Sequence, residues 1–190
     1  MSVNNLSIQH LTDEDAVYFD KSAVISNGFR ELMMESARGI RDNGHPIFVH
    51  NAVRKELKLA ADSDDEALAS ESANCLGILT ALESRNVVQF VGNALEPGTS
   101  GQQYLELLVK YRNKKKICMV SNDSDFLSDV ALQNKIRSFT GNRISACILN
   151  DDGQIIEAEE NNDADDCADE DYACSNAFEE TKRFLKMFGL

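Results

Sequence analysis

The sequence predicts an α/β fold, a three-layer α/β/α sandwich with a central, mostly parallel sheet of about five strands. Strand-like runs alternate with helical patterns along most of the chain, as they do in proteins built from β-α units. These strand-like runs are apolar throughout instead of alternating between apolar and polar residues. That pattern is typical of parallel strands that are covered on both faces.

Five strands and five helices are predicted in chain order. The strands are expected at 15–20, 46–50, 87–91, 116–121 and 144–149. The helices are expected at about 27–42, 51–60, 64–84, 102–112 and 125–135. Gly44 is expected to end the first helix, because glycine readily takes the left-handed conformation of a helix C-terminus. A turn is expected at 151–153.

The chain is expected to have four parts. Residues 1–14 are polar and predicted to be an arm, residues 15–150 form the α/β domain, and residues 151–171 form an acidic linker. Residues 172–190 are predicted to form an amphipathic helix, with Phe178 and Leu185 on its apolar stripe. That helix is expected either to pack on the domain of its own chain or to bind a protein partner.

Charge is unevenly distributed along the sequence. The net charge of −13 argues by itself against nucleic-acid binding. However, residues 1–150 carry 19 acidic and 16 basic side chains, whereas residues 151–190 carry 13 acidic and 3 basic ones. The domain is therefore nearly neutral, and the tail carries most of the negative charge.

The cysteines, the histidines and the apolar runs exclude several classes of protein. The five cysteines form no CxxC pair, so we expect reduced thiols in a cytoplasmic protein and no zinc site. The three histidines are isolated from one another. No run approaches the roughly 18 apolar residues of a membrane span, and the N-terminus lacks a basic-then-apolar signal. We therefore expect no membrane contact.

Acidic residues follow two of the predicted strands. Asp20 ends the first strand, and Asp123 and Asp125 follow the fourth. Loops at the carboxyl ends of strands meet in a crevice, and clustered carboxylates there suit a hard cation such as Mg²⁺. Asp and Ser at this position also cap the N-terminus of a helix, and this second interpretation needs no metal. Glu56, in the helix after the second strand, is a third candidate ligand.

These motifs together resemble the PIN-domain family of metal-dependent ribonucleases. The resemblance covers about residues 15–150 and is carried by three segments: Phe19-Asp20-Lys-Ser22, Val53-Arg-Lys-Glu56-Leu57 and Val120-Ser-Asn-Asp123-Ser-Asp125-Phe-Leu127. It implies an α/β/α sandwich, which agrees with the predicted fold. It also implies that Asp20, Glu56, Asp123 and Asp125 are the catalytic residues and the ligands of Mg²⁺ or Mn²⁺.

One position departs from the family pattern. PIN proteins usually carry another Asp at the start of the helix before the fourth strand, but here the turn 99–103 contains no carboxylate and has Gly101. Asp129, one helical turn after Asp125, is a candidate replacement. The departure leaves a second interpretation open, a degenerate PIN-like module that binds RNA or protein without cutting and is regulated by its acidic tail.

The implied activity is hydrolysis of RNA phosphodiester bonds by an endoribonuclease, with single-stranded RNA as the expected partner. Ser22 and Asn122 are expected to orient the ligands or to contact phosphate, and Arg54 and Lys55 to contact phosphate. The run 114–116 of three lysines is expected at the opposite end of its strand from Asp123, as a solvated turn. Toxin-like family members are usually held by an antitoxin and often form dimers, so a homodimer is a further expectation.

Three other acidic α/β sites were compared with these motifs. A Toprim-type site also pairs a Glu with Asp-x-Asp, but it does not call for the strand end at Asp20. A von Willebrand-type site needs a serine where Val24 stands, and a haloacid-dehalogenase-like site needs an aspartate at Ser22.

The acidic tail is expected to compete with RNA for the basic residues of the domain.

Overall fold

The computed structural model describes residues 5–6, 8, 12, 15–93, 98–135 and 141–158. The linker and C-terminal helix predicted for residues 159–190 lie outside the described residues. Seven strands are described: β1 (Asn5–Leu6), β2 (Asp15–Phe19), β3 (Ile47–His50), β4 (Val88–Val91), β5 (Lys116–Val120), β6 (Ile144–Leu149) and β7 (Ile155–Glu157). Six helices are described: α1 (Lys21–Val24), α2 (Asn27–Asn43), α3 (Asn51–Ala61), α4 (Glu66–Ser84), α5 (Ser100–Tyr111) and α6 (Ser124–Lys135).

The strands form one sheet in the order β1-β7-β6-β5-β2-β3-β4. The five predicted strands, β2 to β6, are mutually parallel where they pair. The predicted α/β fold with a mostly parallel sheet is therefore confirmed. Two short strands were not predicted. β7 runs antiparallel to β6, and β1 runs antiparallel to β7.

Residues near the start of the chain form part of the sheet edge. Asn5 and Leu6 pair with Ile156 and Ile155, and Ile8 is 4% exposed in the core. Of residues 1–14, predicted as an arm, Asn5 and Leu6 extend the sheet and Ile8 and Thr12 are buried. A truncation after residue 150 would remove β7, so the domain tested in isolation needs to include residues up to 158.

The core lies on both faces of the sheet. Phe19 of β2 packs edge-to-face on Phe29 of α2, with 5.5 Å between the ring centroids. On the other face Tyr18 meets Tyr104 of α5, with 6.4 Å between centroids. Adjacent residues of β2 thus contact helices on opposite faces, which is why its sequence is apolar without alternation.

Local signals set most of the helix boundaries. Asp65 caps α4 through its Oδ1 atom, which accepts hydrogen bonds from the backbone N–H groups of Ala67 and Leu68. Gly44 ends α2 with φ 72°, as predicted. Residues 151–153 form the predicted turn. Cys75, Cys118 and Cys147 are buried, and the Cys118 and Cys147 sulfur atoms lie 3.4 Å apart. No helix in the described ranges combines the length and the apolar character that crossing a membrane requires.

Candidate active site

The candidate site lies where the chain changes direction across the sheet. After β2 the chain adds β3 and β4 on one side, and it then returns to place β5 on the other side. Phe19 of β2 pairs with Val120 of β5, so Asp20 and Ser121 leave the two strands side by side. The Asp20 N–H donates to the Val120 carbonyl at 3.2 Å. Such a reversal of strand order opens a crevice at the carboxyl edge of the sheet.

The Asp20 carboxylate is buried, with 8% of the residue exposed, and is held by three donors. Its Oδ1 atom accepts the Ala23 N–H at 2.9 Å, which makes Asp20 the N-cap of α1. Its Oδ2 atom accepts the Ser121 hydroxyl at 2.8 Å. The Ser22 hydroxyl lies 2.9 Å from Oδ1 and 3.0 Å from Oδ2. The local fold therefore fixes this carboxylate from both strand ends.

Two serine hydroxyls join the ends of β2 and β5. The Ser22 and Ser121 oxygens are 3.2 Å apart. Ser22 accepts the Asn122 N–H at 2.8 Å, and Ser121 accepts the Asp123 N–H at 3.0 Å. Ser22 was predicted to lie beside the acidic residues, and it does. The sequence pattern indicated only a polar turn at Ser121. In the structure its hydroxyl contacts both Asp20 and the backbone of Asp123.

Asp123 caps α6. Its Oδ1 atom accepts the N–H groups of Asp125 and Phe126 at 3.0 and 3.1 Å, and its carbonyl accepts the Leu127 N–H at 3.0 Å. The capping role considered from the sequence is therefore present. Capping uses one of the two carboxylate oxygens, and Asp123 is exposed, so its other oxygen remains accessible from solvent. Asp125 is exposed in the first turn of α6.

Glu56 lies on α3 and is tied to two other elements. Its Oε1 atom accepts the Ser100 N–H, at the start of α5, at 2.9 Å. Its Oε2 atom lies 3.6 Å from the Lys21 ammonium, and Lys21 follows Asp20 directly in the chain. Glu56 is thus connected to the Asp20 segment through a cation that sequence reasoning did not single out. It also places a carboxylate at the N-terminus of α5, whose first turn contains Gly101.

The acidic residues influence one another electrostatically. Burial raises the pKa of Asp20 above its ordinary value, the hydrogen bonds from Ala23, Ser121 and Ser22 oppose that rise, and the charge of Asp123 adds to it. Burial also raises the pKa of Asp129, with the charges of Asp125 and Asp123 contributing. The charge of Asp123 therefore acts on both Asp20 and Asp129, and the charge of Asp125 acts on Asp129.

Tyr104 is a buried neighbour of the site that the sequence pattern did not distinguish from other apolar residues. Its hydroxyl donates to the carbonyl of Phe19, directly before Asp20, and accepts the His50 N–H at 2.7 Å. Burial raises its pKa well above the ordinary tyrosine value, and the charges of Asp20 and Glu56 contribute to that rise. Tyr104 therefore ties the ends of β2 and β3 to helix α5.

The other predicted phosphate contacts have structural partners of their own or lie at the surface. The Asn122 side-chain oxygen accepts the Leu149 N–H at 3.0 Å. Arg54 lies 3.3 Å from Glu83 and sits 4.5 Å above the ring of Phe90. Lys55 is exposed on α3. The structure thus brings Ser22 to Asp20 but gives Asn122 and Arg54 contacts with neighbouring elements.

The side chains that could bind a metal ion at this site are carboxylates. Within the described ranges, no three His, Cys, Asp or Glu side chains lie close enough together to form a metal site by themselves. Mg²⁺ does not require such a cage, because one or two carboxylates commonly hold it together with water and substrate phosphate. Asp20 and Asp123 offer carboxylate oxygens of the right type. A dication would also relieve the repulsion that helps to raise the pKa of Asp20.

Comparison with known proteins adds no assignment to this geometry. No protein-family model matches the chain, and no curated protein matches it.

Proposed function

We propose that this protein is a PIN-like endoribonuclease that hydrolyses RNA phosphodiester bonds with Mg²⁺ or Mn²⁺. The observation that carries the proposal is the arrangement at the ends of β2 and β5. A buried aspartate, Asp20, is held by the Ser121 hydroxyl, which also binds the backbone N–H of a second aspartate, Asp123. This arrangement supports the PIN-like motifs because both acids stand at the carboxyl edge, beside the reversal of strand order.

The proposed roles follow from exposure and contacts. Asp20 and Asp123 would hold the ion, with Glu56 and Asp125 completing the acidic cluster. The ion would supply positive charge to the phosphate and lower the pKa of a water molecule that attacks it. Ser22 and Ser121 orient the Asp20 carboxylate through their hydroxyls. Lys21 holds Glu56 toward the Asp20 segment through their 3.6 Å ion pair.

The test is cleavage of a mixed single-stranded RNA by the full chain with Mg²⁺, Mn²⁺ or EDTA. Cleavage is expected with either metal and is expected to stop in EDTA. Asp20→Asn is expected to lower the rate by at least about 100-fold, since a bound metal contributes several kcal/mol to such reactions. Asp62→Asn, at the end of α3, is the matched control and is expected to cut at the wild-type rate. Equal rates in both variants would remove the proposal.

A second candidate function is a PIN-like module that binds RNA or protein without cutting, regulated by its acidic tail. It is favoured by the hydrogen bonds around Asp20, whose two oxygens already accept from Ala23, Ser22 and Ser121. It is also favoured by Gly101, which supplies no carboxylate to the first turn of α5. Binding of RNA without cleavage by the folded full chain and by residues 1–158 would support this candidate. Tighter binding by 1–158 would further support regulation by the tail.

A further inference from the structure

A groove of about 390 Å³ runs between helix α5 and strands β2 to β4. We call it the α5 groove; Tyr18, Phe48, His50, Gly92, Lys110 and Tyr111 are among the residues that line it. His50 and Gly92 stand at the carboxyl ends of their strands, whereas Lys115, another lining residue, directly precedes β5. The groove therefore extends along the sheet from its carboxyl edge toward its amino edge. Its volume is within the range of ligand pockets, roughly 300–1,000 Å³.

The rings of Tyr18, Phe48 and Tyr111 form part of the groove wall. Tyr18 and Phe48, on adjacent strands, have ring centroids 5.2 Å apart and an interplanar angle of 31°. Tyr111, at the end of α5, is 38% exposed. The partly exposed rings of Phe48 and Tyr111 provide surfaces on which unpaired nucleobases stack.

Lysines accompany the exposed ring. The Lys110 and Lys114 ammonium groups lie 5.7 and 6.0 Å from the centroid of the Tyr111 ring. The segment 110–116 contains five basic residues and no acidic one, in a chain whose net charge is −13. Arg112 has a structural role, because it donates to the carbonyls of Asn142 and Gln133. Lys110 and Lys115 line the groove and are the cations suited to phosphate. The groove thus combines stacking surfaces with local positive charge.

The groove is connected to the candidate active site through Tyr104. His50 lines the groove, and its N–H donates to the Tyr104 hydroxyl. The same hydroxyl donates to the carbonyl of Phe19, the residue before Asp20. The Tyr104 hydroxyl therefore connects a lining residue of the groove to the end of the strand that Asp20 follows. Lys115, in the run 114–116 that the sequence predicts to be a solvated turn, lines the far end of the groove.

We propose that the α5 groove binds single-stranded RNA, with bases stacked on Tyr111 and Phe48 and phosphates held by Lys110 and Lys115. The choice of RNA as the polymer rests on the proposed function. The groove chemistry itself, aromatic rings together with lysines, applies to single-stranded nucleic acid in general.

The experiment measures binding of a labelled mixed-sequence single-stranded RNA to the full chain in EDTA, where metal-dependent cleavage is absent. Tyr111→Ala is expected to weaken binding by about 5- to 150-fold, the measured range for loss of one stacked base. Its matched control is Leu132→Ala, an exposed apolar residue on α6 that is expected to leave affinity unchanged. Thermal unfolding of each variant checks that the fold is intact.

Removing a positive charge and removing a negative charge from the groove should change RNA affinity in opposite directions. Damage to the fold would weaken binding in both variants. Lys110→Gln is expected to weaken binding and to reduce its dependence on salt, because one phosphate contact is lost. Glu106→Gln, one helical turn earlier in the same groove, is expected to strengthen binding, because it removes a carboxylate that repels phosphate. Lys58→Gln, on an exposed position of α3, is the matched control and is expected to change binding less than Lys110→Gln.

The outcomes distinguish this inference from the proposed nuclease. Asp20→Asn is expected to retain RNA binding in EDTA, so loss of cleavage alone leaves the groove proposal in place. Groove variants that bind like their controls, or a wild-type chain that binds no RNA at low salt, would overturn it. Concentration-dependent self-association that Tyr111→Ala abolishes, without RNA binding, would also overturn it and assign the groove to a second copy of the chain.

Discussion

The hydroxyl of Ser121 lies 2.8 Å from the carboxylate of Asp20, although 101 positions separate the two residues in the chain. The contact exists because Phe19 and Val120 are paired in register, so the two strands end together. The same hydroxyl accepts the Asp123 N–H at 3.0 Å. Ser121 therefore contacts both the buried carboxylate of Asp20 and the backbone of the exposed residue Asp123.

The first prediction concerns the pH dependence of stability in EDTA. Burial raises the pKa of Asp20 above its ordinary value of 3.8, so the folded protein keeps this proton after the unfolded chain has released it. The free energy of unfolding should therefore fall as the pH rises from about 3.8 through the raised pKa. Asp20→Asn should remove this contribution to the slope. The measurement is urea unfolding at a series of pH values.

Asp129 is the control for that prediction, because its pKa is raised in the same direction. Asp129→Asn should remove a separate part of the slope and leave the part due to Asp20. The serine hydroxyls can rotate to accept hydrogen bonds from an asparagine amide, so Asp20→Asn is expected to fold. If the free energy of unfolding depends on pH identically in wild type and Asp20→Asn, Asp20 is not the group that keeps its proton in the folded state.

Local signals in the sequence predicted most of the fold, because apolar runs and helix caps depend on neighbouring residues. The helix predicted at 27–42 is observed at Asn27–Asn43, and the strand predicted at 144–149 is observed at Ile144–Leu149. β1 and β7 were missed because two or three residues are too few to show a period. The helix Lys21–Val24 was missed for the same reason.

The candidate site was predictable only in part. Asp20 and Asp123 were identified because both follow apolar strands, and that signal is local. The contact of Glu56 with Ser100 joins residues 44 positions apart and depends on how α3 and α5 pack. The hydroxyl of Tyr104 was missed because apolar periodicity treats tyrosine as one more core residue. Hydrogen bonds between distant segments are set by tertiary packing, which hydrophobic periodicity does not encode.

The second prediction separates the capping role of Asp123 from its charge. Asparagine caps helices about as well as aspartate, so Asp123→Asn should change the free energy of unfolding by less than about 0.5 kcal/mol. RNA cleavage should nevertheless fall by at least about tenfold, because a carboxylate proposed to hold the metal is lost. Stability comes from urea unfolding and activity from cleavage with Mn²⁺.

Asp65→Asn is the matched control, because Asp65 caps α4 with the same side-chain geometry. It should preserve both stability and cleavage. If Asp123→Asn lowers stability and cleavage together while Asp65→Asn changes neither, the aspartate at 123 acts through the fold of α6 and not through its charge at the site.

The third prediction restores the carboxylate that the family resemblance leads one to expect. A Cβ atom at Gly101 would lie 3.4 Å from the nearest atom of Phe126, which is ordinary van der Waals contact. Gly101 is also in the first turn of α5, where a negative charge is favourable. Gly101→Asp should therefore fold and should bind Mn²⁺ more tightly than wild type, as measured by calorimetry.

Gly101→Ala is its control. Replacing a helical glycine by alanine should stabilise the protein by about 0.5–1 kcal/mol without changing metal affinity. A gain in Mn²⁺ affinity in the aspartate variant alone would locate position 101 at the metal site. Equal affinity in both variants would place the proposed metal away from the first turn of α5.

The last prediction concerns Tyr104. Tyr104→Phe keeps the ring, which packs against Tyr18 and Phe126, but removes the hydroxyl shared by the Phe19 carbonyl and the His50 N–H. Loss of that hydroxyl from a buried position should lower the free energy of unfolding by about 1–3 kcal/mol. Tyr111→Phe, at an exposed tyrosine, should cost less than about 0.5 kcal/mol.

The same substitution tests whether the hydroxyl positions Asp20. The ends of β2 and β3 would lose a shared contact beside the proposed metal ligand, so cleavage should fall more than the fraction of folded protein does. Single-turnover cleavage under conditions where both variants are fully folded separates the two effects. An unchanged cleavage rate there would limit Tyr104 to stabilising the fold, since the backbone pairing of Asp20 with Val120 would then suffice to hold the carboxylate in place.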